Sequence, residues 1–196
     1  ARHVLVAGDL YDTDSPSPRT LQEPLERMRA CASVSWHVIP GNHDYHRGNG
    51  LWDHACALGL PPNVILHLAP EPAPLGEEAM LFPAPLRRRS ETNDLTEWMD
   101  GAESTPGLLR IGLAHGSVQG FGTGGEAKNM IAPDRATRAR LDYLALGDWH
   151  RTLQVGPATW YAGTPEPDRF DSQEAGQALF VDIAGPGAAA TVTPLR

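Results

Sequence analysis

Lysine is almost missing from this sequence: Lys128 is the only one, and the other basic residues are arginines. Acidic side chains number 24 against 16 basic ones, for a formal charge of -8. Proteins that coat nucleic acid by general electrostatics use clustered Lys and Arg to neutralise phosphates. The charge balance argues against that mode, but it leaves room for an enzyme that meets a phosphate at a metal-filled cleft. Cysteine is scarce as well. Cys31 and Cys56 stand apart, without the spacing of a metal finger or a redox pair, and are expected to be small buried hydrophobes in a reducing cytoplasm. No apolar run reaches the roughly 18 residues of a membrane span, and no charged-then-hydrophobic leader opens the chain, so a soluble protein is expected.

What is present describes a loop-rich globular protein: 41% hydrophobic residues, with 18 Pro and 20 Gly among 196 residues. That length suits one domain spanning residues 1–196 with a substantial core. HVLVAGDLYD is a short β-branched run that breaks at a glycine into acidic residues, as a buried parallel strand does when it delivers a loop. A helix is expected next, because Thr20 and Glu23 have capping-box spacing and Leu21, Leu25 and Met28 share a face; Pro24 limits where it starts. VSWHVIPGNHD is a second apolar strand, and a shorter helix over 51–58 should end at Gly59. VILHL, MLFPAPL, LLRIGLAHG and DYLALGD read as further strands, with short helices at DLTEWM and PDRATRARL and a loop at LAPEPAPLG. TLQVG, TWYAG, ALFVDI and ATVTP suggest an antiparallel return. Strands that first alternate with helices and then follow one another imply an α/β fold, a two-sheet mixed β-sandwich flanked by helices.

Four apolar strands end alike, as VLVAGDLYD, HVIPGNHD, RIGLAHG and YLALGDWH. Each offers metal-capable side chains just past its carboxyl end, where α/β sheets bind ligands, so the endings converge if the four strands are neighbours in one sheet. The candidates are Asp9, Asn42, His115, Asp148 and His150, with His43 close by. Oxygen ligands mixed with imidazole and no thiolate suit Mn, Fe or Zn better than a structural zinc site. Taken singly, Asp9, Asp12 or GNHD could be no more than turn chemistry. Arg87, Arg88 and Arg89 could hold a nucleic-acid backbone, though a solvated charge run is the plainer reading. His3, His37, His46, His54 and His67 are taken as structural or surface residues.

GDLYD, GNHD, AHG and GDWH, in that order, resemble the signature of the calcineurin-like metallophosphoesterases. LFPAPLRRRSETNDLTEWM, DYLALGDWH and WYAGTPEPDRF are similar to the DNA-repair exonuclease branch of that superfamily, the bacterial SbcD-like nuclease subunits. The resemblance implies a four-layer sandwich with two divalent metal ions, Mn first, with Fe or Zn as alternatives. It implies that Asp9 bridges both metals, that Asn42 and His115 hold one, that His150 reaches the other, and that His43 is the catalytic histidine. Asp12 and Asp44 would brace loops. Position 148, ordinarily a second imidazole, is Asp148, a competent hard ligand. The family's opening Asp-x-His strand has no counterpart here, so the N-terminal strand is expected to lie upstream of Ala1. The implied activity is metal-dependent phosphodiester hydrolysis by a DNA exonuclease or related nuclease, with DNA as substrate and an SMC-like ATPase as partner. The alternatives are a small-substrate nucleotide phosphoesterase and a degenerate metal-binding scaffold without activity.

Overall fold

The computed structural model describes residues 2–120, 128–166 and 176–196. Two sheets carry the architecture. The first is three-stranded and parallel, in the order β1 (His3–Ala7), β2 (Ser35–Ile39), β3 (Val64–Leu66). The second has six strands, β10 (Leu153–Gly156), β11 (Thr159–Tyr161), β9 (Tyr143–Gly147), β6 (Leu109–His115), β5 (Ala79–Ala84) and β4 (Ala73–Leu75), in that order across the sheet. Its centre, β5, β6, β9 and β11, is parallel, while β4 and β10 run antiparallel at the rims. A two-residue parallel pair, β7 (Ser117–Val118) with β8 (Met130–Ile131), and an antiparallel ribbon, β12 (Ala178–Asp182) with β13 (Thr191–Leu195), complete the strands described.

Period-two alternation explains how the sheets face each other. In register, Leu5 lies beside His37 and Ala7 beside Ile39. This face packs on Leu81, Leu113 and Tyr143 of the second sheet. The opposite face, with Val6, Trp36 and Val38, packs on Leu21, Leu25 and Met28 of α1 (Pro18–Ala30) and on Trp52 and Ala55 of α2 (Leu51–Leu58). A third apolar cluster, around Phe82, Met99 and Leu144, covers the outer face of the second sheet. Full burial of each such side chain stabilises the fold by about 1.5–3 kcal/mol, so these layers bind the sheets firmly.

Several local expectations shift for identifiable reasons. Helix α1 starts earlier than Thr20, because the Ser17 hydroxyl accepts from the Thr20 amide at 3.2 Å and Pro18 occupies the first turn; Pro24 then lies inside the helix. The stretch PDRATRARL forms only α3 (Arg135–Arg138), and DLTEWM forms a 3-10 turn over Glu97–Asp100. Part of LAPEPAPLG, expected as loop, is β4. Pro83 sits in β5 beyond the span that β4 pairs, where no ladder partner on that side needs its missing N–H. The late return is only partly antiparallel, since β11 runs parallel to β9. Both thiols, expected to be buried, are exposed. The end of WYAGTPEPDRF lies outside the described residues. Strand β1 is an edge of its sheet, pairing among the described residues with β2 alone.

Candidate metal centre

The four motif strands do not sit side by side in one sheet. β1 and β2 belong to the first sheet and β6 and β9 to the second, so their ends meet across the interface between sheets. Within each sheet the ends are level: Ala7 pairs with Ile39, and His115 with Gly147. Glycine makes the crossing close. A Cβ on Gly147 would fall 2.0 Å from the Ala7 carbonyl oxygen, and one on Gly8 would fall 2.4 Å from His115 Nδ1. A Cβ on Gly41 would fall 2.2 Å from Asp9 Oδ1. No side chain fits at these positions, and Gly8 also holds φ at 85°.

Closeness sets the chemistry of His115. Its Nδ1 lies 2.7 Å from the Ala7 carbonyl oxygen, an acceptor only, so the proton is on Nδ1 and the imidazole donates. Nε2 is thereby aimed into the seam, 3.4 Å from Asp9 Oδ2 and 3.7 Å from Asp148 Oδ1. It is buried without a hydrogen-bond partner. Burial alone would lower the pKa of His115, but the facing Asp9 carboxylate, the Ala7 carbonyl and the charge of Asp148 outweigh it and raise the value. The partner shift is reciprocal. Burial pushes Asp9 up, yet His115 and the His43 amide hold its carboxyl below the usual range.

Asn42 reaches Asp148 Oδ1 through its amide nitrogen at 3.4 Å, and its own Oδ1 is a second buried atom without a partner. The Ser117 hydroxyl donates to Asp148 Oδ2 at 2.8 Å, a brace that sequence reading missed although Ser117 directly follows AHG. Asp9 Oδ1 accepts the His43 amide at 2.9 Å. His43 Nδ1 donates to the Asp12 carbonyl at 3.1 Å, which leaves Nε2 as the nitrogen facing outward chemistry. Asp44, with no exposed surface, accepts amides from Gly41 at 2.6 Å and from Asp9 and Tyr11 at 3.2 Å each. Burial and the nearby Asp9 carboxylate push its pKa up to about 6 against those amides. It ties the GDLYD and GNHD loops together, as a brace does. His150 is exposed on the turn two residues beyond Asp148.

Backbone strain gathers here too. Asp9 has φ 53°, Asp148 φ 96° and Asn129 φ 54°, three of the five described non-glycine residues with positive φ. Asn129 belongs to the same end of the molecule, because its carbonyl accepts the Ser117 amide at 3.1 Å. Such conformations cost of order 1–3 kcal/mol each and persist where surrounding contacts enforce them.

The donors suit a divalent cation. Among the described residues no three or more His, Cys, Asp or Glu side chains are arranged, as they stand, to hold a metal ion. The set here instead includes an amide, and the two orphaned atoms, His115 Nε2 and Asn42 Oδ1, are both metal-ligating types. The 3.4 and 3.7 Å separations around His115 Nε2 compare with edges of roughly 3.4 Å for a tetrahedron built on bonds of about 2.1 Å. Asp9, Asn42, His115 and Asp148 could therefore hold one ion after small adjustments.

The sequence profile of the calcineurin-like phosphoesterases matches residues 2–152, which includes every candidate residue. The chain belongs to this family. As a member it is a phosphoesterase hydrolase whose reaction depends on divalent metal, and the family generally uses two such ions. Among 38 matching chains of solved structures, one crystal structure aligns with TM-score 0.55 at 12% identity, covering 91% of this chain and 72% of that one. At that identity the likeness speaks for the fold. A search of curated proteins finds no match. Among the described residues, no helix is long and apolar enough to cross a membrane.

Proposed function

We propose that this protein hydrolyses phosphodiesters of the nucleic-acid type, as a nuclease-like enzyme acting on DNA. One observation carries the reading. Two buried ligand atoms, His115 Nε2 and Asn42 Oδ1, lack hydrogen-bond partners at the seam where the Asp9 and Asp148 carboxylates meet. An orphaned buried acceptor costs about 1–3 kcal/mol, and a cation is the group that would satisfy both at once.

Asp9, Asn42, His115 and Asp148 would hold one ion, and Asp9 with His150 would contribute to a second. Bound there, divalent metal supplies Lewis acidity toward the phosphoryl oxygens and a more acidic water. The protein's own part follows from its hydrogen bonds. Ala7 fixes the His115 tautomer and Ser117 orients Asp148, support that typically matters 10–100-fold for metal affinity. His43, held at Nδ1 by Asp12, offers Nε2 to protonate the leaving oxygen. A strand bearing an Asp-x-His pair would add to the open side of β1 and complete the second ion's ligands.

For the substrate, Arg87, Arg88 and Arg89 are exposed and follow Leu86, whose amide and carbonyl bond Pro40 and His46 on either side of GNHD. None of the three makes an ion pair among the described residues, so they are available to a phosphate backbone. The overall charge of -8 favours a second reading, a phosphoesterase for nucleotides. The test is Mn-dependent hydrolysis of bis-p-nitrophenyl phosphate, followed by a comparison of linear duplex, single strand and cyclic nucleotides. Metal content without turnover would support a binding scaffold and refute hydrolysis; cleavage of cyclic nucleotides but not DNA would select the second reading. An SMC-like ATPase partner, Mn as the metal and a cytoplasmic setting belong to the same proposal, and co-purification with metal analysis addresses them.

A further inference from the structure

Asp148 and His150 flank Trp149, which is 43% exposed. Among the described residues four other large hydrophobic side chains are exposed, Leu58, Ile65, Phe180 and Leu195, but none belongs to a motif loop. An indole this open beside a cluster of polar ligands offers its uncovered surface to what arrives.

The backbone that follows it is closely packed. At φ 96°, Asp148 leaves the strand conformation, so β-alternation no longer dictates the side of the sheet on which Trp149 lies. The backbone just beyond it is pressed against Gly163, where a Cβ would lie 2.9 Å from the Thr152 amide and 3.3 Å from the His150 carbonyl. The Thr152 hydroxyl donates to the Ala162 carbonyl at 2.8 Å and accepts from Gln177 Nε2 at 2.6 Å. Polar contacts also join this turn to the arginine segment. Ser117 donates to Asp148, its amide bonds the Asn129 carbonyl, and the Asn129 side chain donates to the Arg89 carbonyl at 3.3 Å. An aromatic face and an unpaired cationic run thus border the same end of the seam.

Covalent dimensions define what could meet the ring. Consecutive Cα atoms are about 3.8 Å apart, so Trp149 begins within one residue of two candidate ligands. A phosphodiester bound at those ligands must extend its ester groups by several ångströms, which is the reach of an indole. We propose that Trp149 is a stacking platform for the nucleobase next to the scissile phosphate, with Arg87–Arg89 attracting the phosphates that flank it. The inference rests on the phosphodiesterase reading and adds the substrate class: esters that carry a base. Stacking is tolerant of base identity, since every base has a π-face, so the site selects nucleotide esters over alkyl esters without selecting a sequence.

The experiment compares the wild type with Trp149→Ala and Trp149→Phe in Mn. The substrates are thymidine 5′-monophosphate p-nitrophenyl ester and methyl p-nitrophenyl phosphate. The ratio of kcat/KM for the nucleotide ester over the methyl ester should fall about 5- to 100-fold in Trp149→Ala and stay within about twofold in Trp149→Phe. Equal loss on both esters would mean that Trp149 only positions its neighbours and would overturn the proposal. If the wild type hydrolyses neither ester, the phosphodiesterase reading has failed. Stacking is then judged by the quenching of tryptophan emission on adding thymidine 5′-monophosphate, present in the wild type and absent in Trp149→Phe. Quenching that is equal in both proteins, or absent from both, would refute stacking.

Discussion

Replacing Gly147 by alanine tests the seam between the sheets directly. The added Cβ would lie 2.0 Å from the Ala7 carbonyl oxygen, 3.0 Å from its carbon and 2.9 Å from His115 Nδ1. All three atoms belong to the packed seam, and two of them are backbone, so the strand ends must part. Forcing a methyl into such packing costs typically 1–3 kcal/mol. Moving Ala7 from His115 also weakens their 2.7 Å hydrogen bond, a further 0.5–1.5 kcal/mol or so. Together these give a loss of about 2–4 kcal/mol, or roughly 5–15 °C in Tm for a chain of this size. Gly101→Ala is the control, since a Cβ there meets nothing within 4 Å and φ is -98°; its Tm should move by less than about 2 °C.

The same substitution should affect metal before it affects the rest of the chain. With Ala7 displaced, the Nδ1 proton of His115 is no longer held, and Nε2 loses its assigned lone pair and direction. Mn affinity measured by calorimetry below the unfolding temperature should drop about 10- to 100-fold. If Gly147→Ala matched Gly101→Ala in both Tm and Mn affinity, the close crossing of β1 over β9 would not hold the site, and the geometry argued above would be wrong.

Three further outcomes follow from other contacts. His43→Ala should keep Mn binding while kcat falls roughly 10²–10⁴-fold, read on bis-p-nitrophenyl phosphate; joint loss of metal and turnover would remove His43 from the proton-transfer role. Arg135, 2% exposed, bonds Asp94 and Thr96 at 2.8 Å each and Asp100 beside them, so Arg135→Ala should destabilise by about 3–5 kcal/mol in urea unfolding, and a loss below 1 kcal/mol would contradict the network. His37 and His67, linked at 3.0 Å, are each lowered to about 4, by burial first and, for His37, also by its imidazole neighbours. Folded pKa values below the unfolded 6.5 mean that their contribution is whole above pH 6.5 and is lost as pH falls toward 4, by up to about 3 kcal/mol per ring. The urea midpoint of His67→Gln should therefore drop less than that of the wild type between pH 7 and 4.5; parallel curves would refute the assignment.

Much of the fold could be read from the sequence because apolar runs of five to seven residues, broken by glycine, are locally determined. β1, β2, β6 and β9 all lie where those runs predict, and α2 ends at Gly59 as its C-cap requires. What failed to show depended on partners distant in sequence. β4 exists because β5 offers it an edge, and nothing within LAPEPAPLG announces that. PDRATRARL has helical composition, yet only four residues are helical, because Arg135 is drawn into the ion pairs with Asp94 and Asp100 and Arg140 takes φ 52°. His3, His37 and His67, read as structural or surface residues, form a hydrogen-bonded row because β1, β2 and β3 lie side by side. Ser117 and Asn129 brace the site through loops whose approach no local pattern encodes.

The split of the motif strands between two sheets has the same origin, and here the sequence did hold a usable signal. A strand ending names its own residues but not its neighbours, so four endings with ligand chemistry suggested one sheet. Yet Gly8 precedes Asp9, Gly41 precedes Asn42, Gly147 precedes Asp148 and Gly116 follows His115. Read as strand breakers, these glycines require nothing beyond a turn. Read as places where another backbone must come too near for a Cβ, they imply opposed chain segments at every ending, which adjacent strands of a single sheet, about 4.8 Å apart, do not need. Two contacts match the second reading, since Gly8 meets His115 and Gly147 meets Ala7 across the sheets, whereas Gly41 meets Asp9 from the neighbouring strand and Gly116 meets Asn129 beside β8. Gly8 and Gly147, beside Asp9 and Asp148, are therefore the sequence-level mark of a site built between sheets.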